Sequence, residues 1–113
     1  MNVKATVISF CVFICVAFSI NASEIYVSPN GSDTNPGTKE KPVATVAMAL
    51  RKAREMRRLN DPGVAGGIRI IEQQGTYTLH EPIFVRPEDS GTPESPTTIE
   101  SAAGEKPVIS GGI

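Results

Sequence analysis

Acidic side chains are the groups in this sequence best suited to acid–base chemistry, because two facing carboxylates can cleave a glycosidic bond. Glu88 and Asp89 are adjacent, so on a β-strand their side chains would point to opposite faces and could not act as a pair. In a Pro-rich segment, Asp89 is more simply a turn residue that accepts hydrogen bonds from the backbone of Ser90 and Gly91. The other candidates are spread along the second half of the chain: Glu72, Glu81, Glu94 and Glu100.

His80 is the only histidine of the 113 residues, which excludes a multi-histidine metal site. As a general base it would need a carboxylate partner, and Glu81 follows it without any geometric reason to face it. We therefore expect His80 to be an exposed residue at a corner of the chain. Tyr26 and Tyr77 could stack against a sugar ring, but the sequence has no tryptophan and we expect both tyrosines to pack in the core.

Two loops and one basic cluster could bind ions. Asp33 and Asn35 offer oxygen ligands for calcium, but a stretch so rich in Gly, Pro, Ser and Asn is more simply a series of turns. The segment from Gly63 to Gly67 lacks the lysine of a phosphate-binding loop and is also predicted to be a turn. Five basic residues could bind a polyanion or form the solvated face of a helix, and we favour the helix face: Arg51, Lys52, Arg54, Arg57 and Arg58.

The overall charge narrows the possible partners. The chain has 11 basic and 12 acidic side chains, for a formal net charge of −1. A chain so close to neutral gives no electrostatic reason to expect nucleic acid as a partner. We assign no catalytic, cofactor-binding or metal-binding residue and expect no cofactor.

Short strands and one helix must position these side chains. The helix is predicted over Val46 to Leu59, with Thr45 as its N-cap and Asn60 to Gly63 ending it. Its apolar stripe consists of Val46, Ala49, Leu50, Ala53 and Met56. The predicted strands are Glu24 to Val27, Ile68 to Ile71, Thr76 to Leu79, Ile83 to Val85, Thr97 to Glu100, and Val108 to Ile109. The segment from Arg86 to Pro96, with three prolines, is predicted to be an excursion loop.

Residues 1–22 are predicted to be a secretory signal peptide. Lys4 precedes an apolar run from Ala5 to Ile20, which is short for a membrane span. Small residues follow, and we expect cleavage after Ala22, with cleavage after Ser23 as the second choice. The protein is therefore expected to be secreted, periplasmic or at the cell surface, with no stable membrane anchor once the signal peptide is removed; an uncleaved anchor is the alternative.

Both cysteines, Cys11 and Cys15, lie inside the apolar run of the signal peptide. A lipid anchor would need a small residue before the modified cysteine, but Phe10 and Ile14 occupy those positions. Residues 23–113 contain no cysteine, so no disulfide can stabilise the small core that we expect there.

A set of motifs, in this order, resembles the N-terminal region of secreted right-handed parallel β-helix proteins of the pectate-lyase-like superfamily. The motifs are Ile25 to Asp33, Asn35 to Thr38, Lys41-Pro42, Gly75-Thr76-Tyr77, and Gly104 to Gly112. The resemblance implies a mainly β fold, in which the predicted helix caps the first rungs of a right-handed single-stranded parallel β-helix that this chain contains only in part. A rung is one turn of the coil.

The resemblance also implies a function for the full-length protein. Many members of the superfamily act on polysaccharides as hydrolases or lyases, with active sites on later rungs. We therefore expect residues 23–113 to be the N-terminal structural part of a longer, secreted, polysaccharide-degrading enzyme, without catalytic residues of its own. A non-catalytic β-helix binding or surface scaffold is the alternative. An isolated chain of this kind is expected to self-associate through its unpaired last rung.

Overall fold

The computed structural model describes residues 21–80 and 82–111. Most of the predicted signal peptide, with Cys11 and Cys15, lies outside the described residues, and so do Glu81 and Gly112. Across the described ranges, no helix has the length and apolar character needed to cross a membrane.

The fold is mainly β, and its strands pair only in parallel within the described ranges. The strands are β1 (Ser23–Val27), β2 (Ile68–Glu72), β3 (Thr76–Thr78), β4 (Thr97–Ser101) and β5 (Val108–Ser110). One sheet has the order β1-β2-β4, and the other pairs β3 with β5. The chain therefore passes through β2 and β3 and then stacks β4 and β5 against the same two strands. Five of the six predicted strands are found, each with one end shifted by a single residue.

Side chains at equivalent positions of the paired strands stack on one another. Ile25, Ile70 and Ile99 share one register position across β1, β2 and β4, and Tyr77 and Ile109 share one in the other sheet. Ile25, Ile70 and Tyr77 are buried in the core, whereas Ile99 is 45% exposed and Ile109 is 49% exposed. The stacks are open at this end because, within the described residues, no strand lies beyond β4 or β5.

The predicted helix is present as α1 (Val46–Arg58), and Leu59 is its C-cap. Thr45 is the N-cap as predicted, since its Oγ1 accepts a hydrogen bond from the Met48 amide at 3.1 Å. The helix packs against β1 and β2. Its predicted stripe faces that core, with Val46, Ala49, Leu50 and Ala53 buried and Met56 partly buried. Burial of this stripe, rather than intrinsic propensity, supplies most of the stability of a helix this short.

The loop between β1 and α1 covers the outer edge of β1. The Tyr26 amide donates to the Gly37 carbonyl at 2.7 Å, and the Val43 amide donates to the Tyr26 carbonyl at 3.0 Å. Gly31 lets the loop close, because a Cβ at this position would lie 2.4 Å from the Pro42 carbonyl oxygen. One edge of the three-stranded sheet is thus protected by the loop, whereas the opposite edge, β4, has no such cover in the described part of the chain.

The predicted strand from Ile83 to Val85 is wrong. These residues form no strand, and Phe84 is 71% exposed. The Phe84 carbonyl accepts a hydrogen bond from Arg54 Nη2 at 3.0 Å. The segment is therefore held by a helix side chain instead of by a neighbouring strand, and its alternation of apolar residues is not used for sheet packing.

Candidate functional site

Two of the five clustered basic residues hold the excursion loop against α1, which corrects the prediction that the whole cluster is a solvated face. Arg54 binds Asp89 in a bidentate ion pair, with Nε 2.7 Å from Oδ1 and Nη2 2.9 Å from Oδ2. Asp89 is only 3% exposed, and its Oδ2 also accepts the Arg86 amide at 2.7 Å. The predicted bonds from Ser90 and Gly91 are therefore wrong, because Asp89 faces the helix and not the following turn.

Arg57, one helical turn further, holds the second half of the same loop. Its Nη1 donates to Ser95 Oγ at 3.0 Å, and its Nη2 donates to the Ser95 carbonyl at 2.9 Å and to Thr97 Oγ1 at 2.8 Å. Ser95 Oγ in turn donates to the Val64 carbonyl. The spacing of three residues between the two arginines was the available sequence signal, since residues i and i+3 share one face of a helix.

The rest of the basic cluster behaves as predicted. Arg51 is exposed and Lys52 is half-exposed. Arg58 pairs with Glu55 on the solvent side of α1, a kind of pair that contributes little to stability. No polyanion site is needed to explain these residues.

The carboxylate candidates that the structure describes are not brought together as an acid–base pair. Glu88 and Glu94 are exposed, as is His80, while Asp89 and Glu100 are occupied by Arg54 and Arg69. Among the described residues, no group of three or more His, Cys, Asp or Glu side chains is arranged to hold a metal ion. From the sequence we expected no catalytic or metal-binding residue in this chain, and that expectation stays a prediction.

Glu72 is the unusual carboxylate of this structure. It is the last residue of β2, and it is 7% exposed. Its Oε2 has no hydrogen-bond partner in the described part of the protein. Burial raises the pKa of Glu72 above its usual range. Burial and then the charge of Glu72 raise the pKa of the nearby Tyr77 to about 12.

Replacing Glu72 with glutamine is expected to stabilise the protein at pH 7 by about 1 kcal/mol, because a charged oxygen without a partner is costly to bury. The raised pKa means that the native state holds its proton more tightly than the unfolded chain does. In the wild-type protein, the stability that protonated Glu72 contributes is therefore complete below the pKa that Glu72 has in the unfolded chain. It is lost as pH rises through the pKa that Glu72 has in the folded protein. Thermal melts of both proteins should differ at pH 7 and converge near pH 4. A difference that is equal at both pH values would contradict this account.

The calcium alternative does not fit the geometry around Asp33. Its Oδ1 accepts the amides of Ala44 and Thr45 at 2.9 and 3.1 Å, and both its oxygens lie within 3.2 Å of Thr45 Oγ1. Asn35 points elsewhere, since its Nδ2 donates to the Pro42 carbonyl at 2.9 Å. Asp33 therefore orders the chain that enters α1, in agreement with the favoured prediction of a turn-forming loop.

Substituting alanine for Asp33 is expected to lower the free energy of unfolding by about 1–2 kcal/mol, because two backbone amides and the N-cap hydroxyl lose their acceptor. Urea denaturation measures the loss, and Glu40→Ala is the matched control because Glu40 is an exposed acid of the same loop. Calcium chloride should leave the melting temperature of the wild-type protein unchanged. A calcium-dependent rise that disappears in Asp33→Ala would instead support the metal site.

The outer face of the three-stranded sheet carries a polar cavity of about 260 Å³. Tyr26 lines it and is half-buried, so the prediction that this tyrosine packs in the core is wrong. The strand alternates, and because Ile25 and Val27 point inward, Tyr26 must point outward. Tyr77 does pack in the core as predicted, with its hydroxyl 2.9 Å from the Val27 carbonyl.

A larger groove of about 650 Å³ lies between the first turn of α1 and strand β3. Its lining includes Val46, Met48, Tyr77, Ile109 and the exposed His80. Among the described residues, His80 has no hydrogen-bonded or ion-paired carboxylate partner. The groove has apolar walls and lies beside the exposed Ile109, at the open end of the stacked side chains.

Comparison with curated proteins identifies longer relatives. The chain is 44% identical over 87 residues to the uncharacterized protein YwoF of Bacillus subtilis (strain 168), a match that covers 77% of the chain and 15% of that protein. It is 31% identical over 103 residues to pectate lyase PEL9 of Emericella nidulans, covering 91% of the chain and 22% of that enzyme. The chain thus spans less than a quarter of either relative. No family model matches it.

Solved structures give a consistent result. A glycoside hydrolase superposes with a TM-score of 0.79 at 58% identity, over 81% of this chain and 15% of the hydrolase. The structure of XylC in complex with xylose gives a TM-score of 0.52 at 29% identity, over 74% of this chain and 11% of XylC. The chain is therefore related to carbohydrate-active proteins, of which it matches only a small part.

Proposed function

We propose that this chain is the N-terminal part of a secreted, polysaccharide-degrading protein with a right-handed parallel β-helix, in which α1 caps the first rung. The observation that carries the proposal is the similarity to a glycoside hydrolase at 58% identity over most of the chain but only 15% of the hydrolase. The relationship to a pectate lyase supports the same substrate class.

The architecture supports the structural half of the proposal. Parallel pairing of successive passes, with Ile25, Ile70 and Ile99 in register, is the packing that a coil of rungs requires. Helix α1 and the loop before it protect the β1 side, as a capping element must. The β4 and β5 side exposes the apolar Ile99, Val108 and Ile109, and no further strand among residues 21–80 and 82–111 covers it, so it is suited to receive the next rung of a longer polypeptide.

Within the described residues, the acidic side chains have structural partners or lie apart. Asp89 and Glu100 bind arginines, and Asp33 orders the entry to α1. Glu72 is buried, with one carboxylate oxygen that has no hydrogen-bond partner in this part of the chain. We propose that catalysis resides in residues outside this chain. The role of the present residues is to start the coil and protect its first edge.

The test begins with the gene. The reading frame beyond the codon for Ile113, or a second frame overlapping it, should encode further short strands at similar spacing. The full-length protein should release reducing ends from pectin, polygalacturonate or xylan, with ultraviolet absorbance of unsaturated uronates if it is a lyase. A native stop without downstream rungs would refute the structural half, and a folded full-length protein that releases no product would favour the scaffold alternative.

Secretion is tested separately. We expect the mature protein in the medium or periplasm, and N-terminal sequencing should begin at Ser23. Retention in the cytoplasm with an intact N-terminus would contradict the predicted signal peptide.

A further inference from the structure

The cavity on the outer face of the three-stranded sheet has the shape of a small binding site. Its floor includes Ile71, which points away from the core side of β2 and is nevertheless only 4% exposed. Tyr26, its register neighbour on β1, stands beside this floor. The cavity therefore combines an aromatic ring with an apolar base, although it opens to solvent on the polar face of the sheet.

Polar groups beside the ring are held in fixed positions. Arg69 lies between two carboxylates, with Nη1 2.8 Å from Glu24 Oε2, Nη2 2.7 Å from Glu100 Oε1 and Nε 3.2 Å from Glu100 Oε2. Thr98 Oγ1 donates to Glu100 Oε2 at 2.9 Å, and the Tyr26 hydroxyl is 3.3 Å from Glu24 Oε1. All these side chains stand on paired strands, so their oxygens are preorganised, and each carboxylate oxygen retains acceptor capacity.

The charge balance restricts the ligand. Two carboxylates and two cations line the cavity: Glu24, Glu105, Lys39 and Arg69. These charges balance, so the cavity offers no net charge to attract an ionic ligand. Arg69 already occupies the position that a cation would take between Glu24 and Glu100. What remains favoured is a neutral molecule with hydroxyl donors and one apolar face.

We propose that this cavity is a binding site for one neutral sugar ring of a polysaccharide, stacked on Tyr26 with its hydroxyls directed to Glu24 and Glu105, the two carboxylates that line it. The proposal rests on the proposed function for the choice of a saccharide among neutral polyols. The volume of about 260 Å³ lies just below the usual range for small-molecule sites, which fits a single ring and not a longer oligosaccharide. The site would hold the polysaccharide near the N-terminal end of the coil, away from the residues that carry out catalysis.

An ion-pair ladder that only stabilises the sheet would explain Arg69 and its two carboxylates. It would not depend on the ring of Tyr26 and would predict no sugar contact. The two interpretations therefore differ at Tyr26, whose removal leaves the ion pairs of Arg69 in place.

Saturation-transfer NMR on the secreted chain tests the site, and it works equally well if the chain associates. Methyl glucoside and methyl xyloside are the neutral probes, and galacturonate is the acidic one. We expect transfer to the neutral sugars at least 5-fold stronger than to galacturonate. It should disappear in Tyr26→Ala, weaken in Tyr26→Phe and persist in the control Phe84→Ala, which alters an exposed ring elsewhere.

Circular dichroism melts establish that each variant is folded before its binding is compared. Absence of transfer in the wild-type chain, equal transfer in Tyr26→Ala, or a preference for galacturonate would each overturn the proposal. None of these results depends on catalysis. An active full-length enzyme without sugar binding at Tyr26 would refute this site alone, whereas binding by an inactive full-length protein would refute only the proposed activity.

Discussion

Arg54→Ala is expected to cost about 3 kcal/mol of unfolding free energy, because it leaves the buried carboxylate of Asp89 without its partner. Asp89 is 3% exposed, and the pair has two hydrogen bonds of 2.7 and 2.9 Å. A small core without disulfides has little stability in reserve. The variant should therefore show a much lower urea midpoint, or no cooperative transition at all.

The matched control for this loss is Arg58→Ala. Arg58 also belongs to α1 and also pairs with a carboxylate, but both partners are exposed. Its removal should leave the urea midpoint nearly unchanged. Equal losses in the two variants would show that helix propensity, and not the buried pair, determines the effect. Arg54→Lys keeps the charge but not the bidentate geometry, so its urea midpoint should lie between those of the wild type and Arg54→Ala.

The same pair makes stability depend on pH in the acid range. Burial by itself would raise the pKa of Asp89, but the hydrogen bonds from Arg54 and the Arg86 amide outweigh it and hold the pKa below its usual range. The stability that the Arg54–Asp89 pair contributes is therefore present above the pKa that Asp89 has in the unfolded chain. It is lost as pH falls through the pKa that Asp89 has in the folded protein. The Arg54→Ala penalty should accordingly shrink in strongly acidic solution.

Association through the β4 edge is the second large effect that we expect. β4 bonds to β2 through the Pro96 carbonyl and the Ala102 amide. By the alternation of a parallel ladder, Thr97, Ile99 and Ser101 direct their backbone groups away from β2. Ile99 and Ile109 expose apolar surface at the same end. Expressed alone, the chain should form a dimer and not a fibre, because the β1 edge is covered and, within the described residues, the outer strands β4 and β5 of the two sheets lie at one end.

Ile99→Lys should convert this dimer to a monomer in analytical ultracentrifugation, since a charge on a free edge prevents strand pairing. Leu59→Lys is the matched control, because Leu59 is 62% exposed at the end of α1 and not on the edge. A monomeric wild-type chain at the same concentration would contradict the expectation, and so would fibres or loss of the dimer in Leu59→Lys.

Elements set by neighbouring residues could be predicted from the sequence. Thr45 and the apolar stripe after it define α1 locally, and β-prone runs between turn residues place five strands to within one residue. Tyr77 was also predicted correctly, because its strand has few other side chains to bury. These features depend on contacts that lie within a few positions or on a single face.

The predictions that proved wrong concern residues whose placement depends on the tertiary structure. Ile83 to Val85 has strand composition, but pairing needs a neighbour that the described residues do not supply. Asp89 meets Arg54 across 35 positions, and a carboxylate in a Pro-rich loop gives no local sign of that partner. Tyr26 was predicted to be buried because aromatic side chains usually are, although its alternation with Ile25 and Val27 places it on the outer face of the sheet. The cavity on the outer face follows from that same orientation and was not predicted.

The protected β1 edge also bears on how the chain acquires its structure. Its pairing with β2 joins residues 45 positions apart, such as Glu24 with Arg69, while the next pairing joins Arg69 with the nearer Thr98. The first closure therefore carries the larger entropic cost, and later strands add to an existing template. During synthesis this would make folding vectorial: once the first turn has formed, each emerging strand has one available place to dock, and docking there exposes the next.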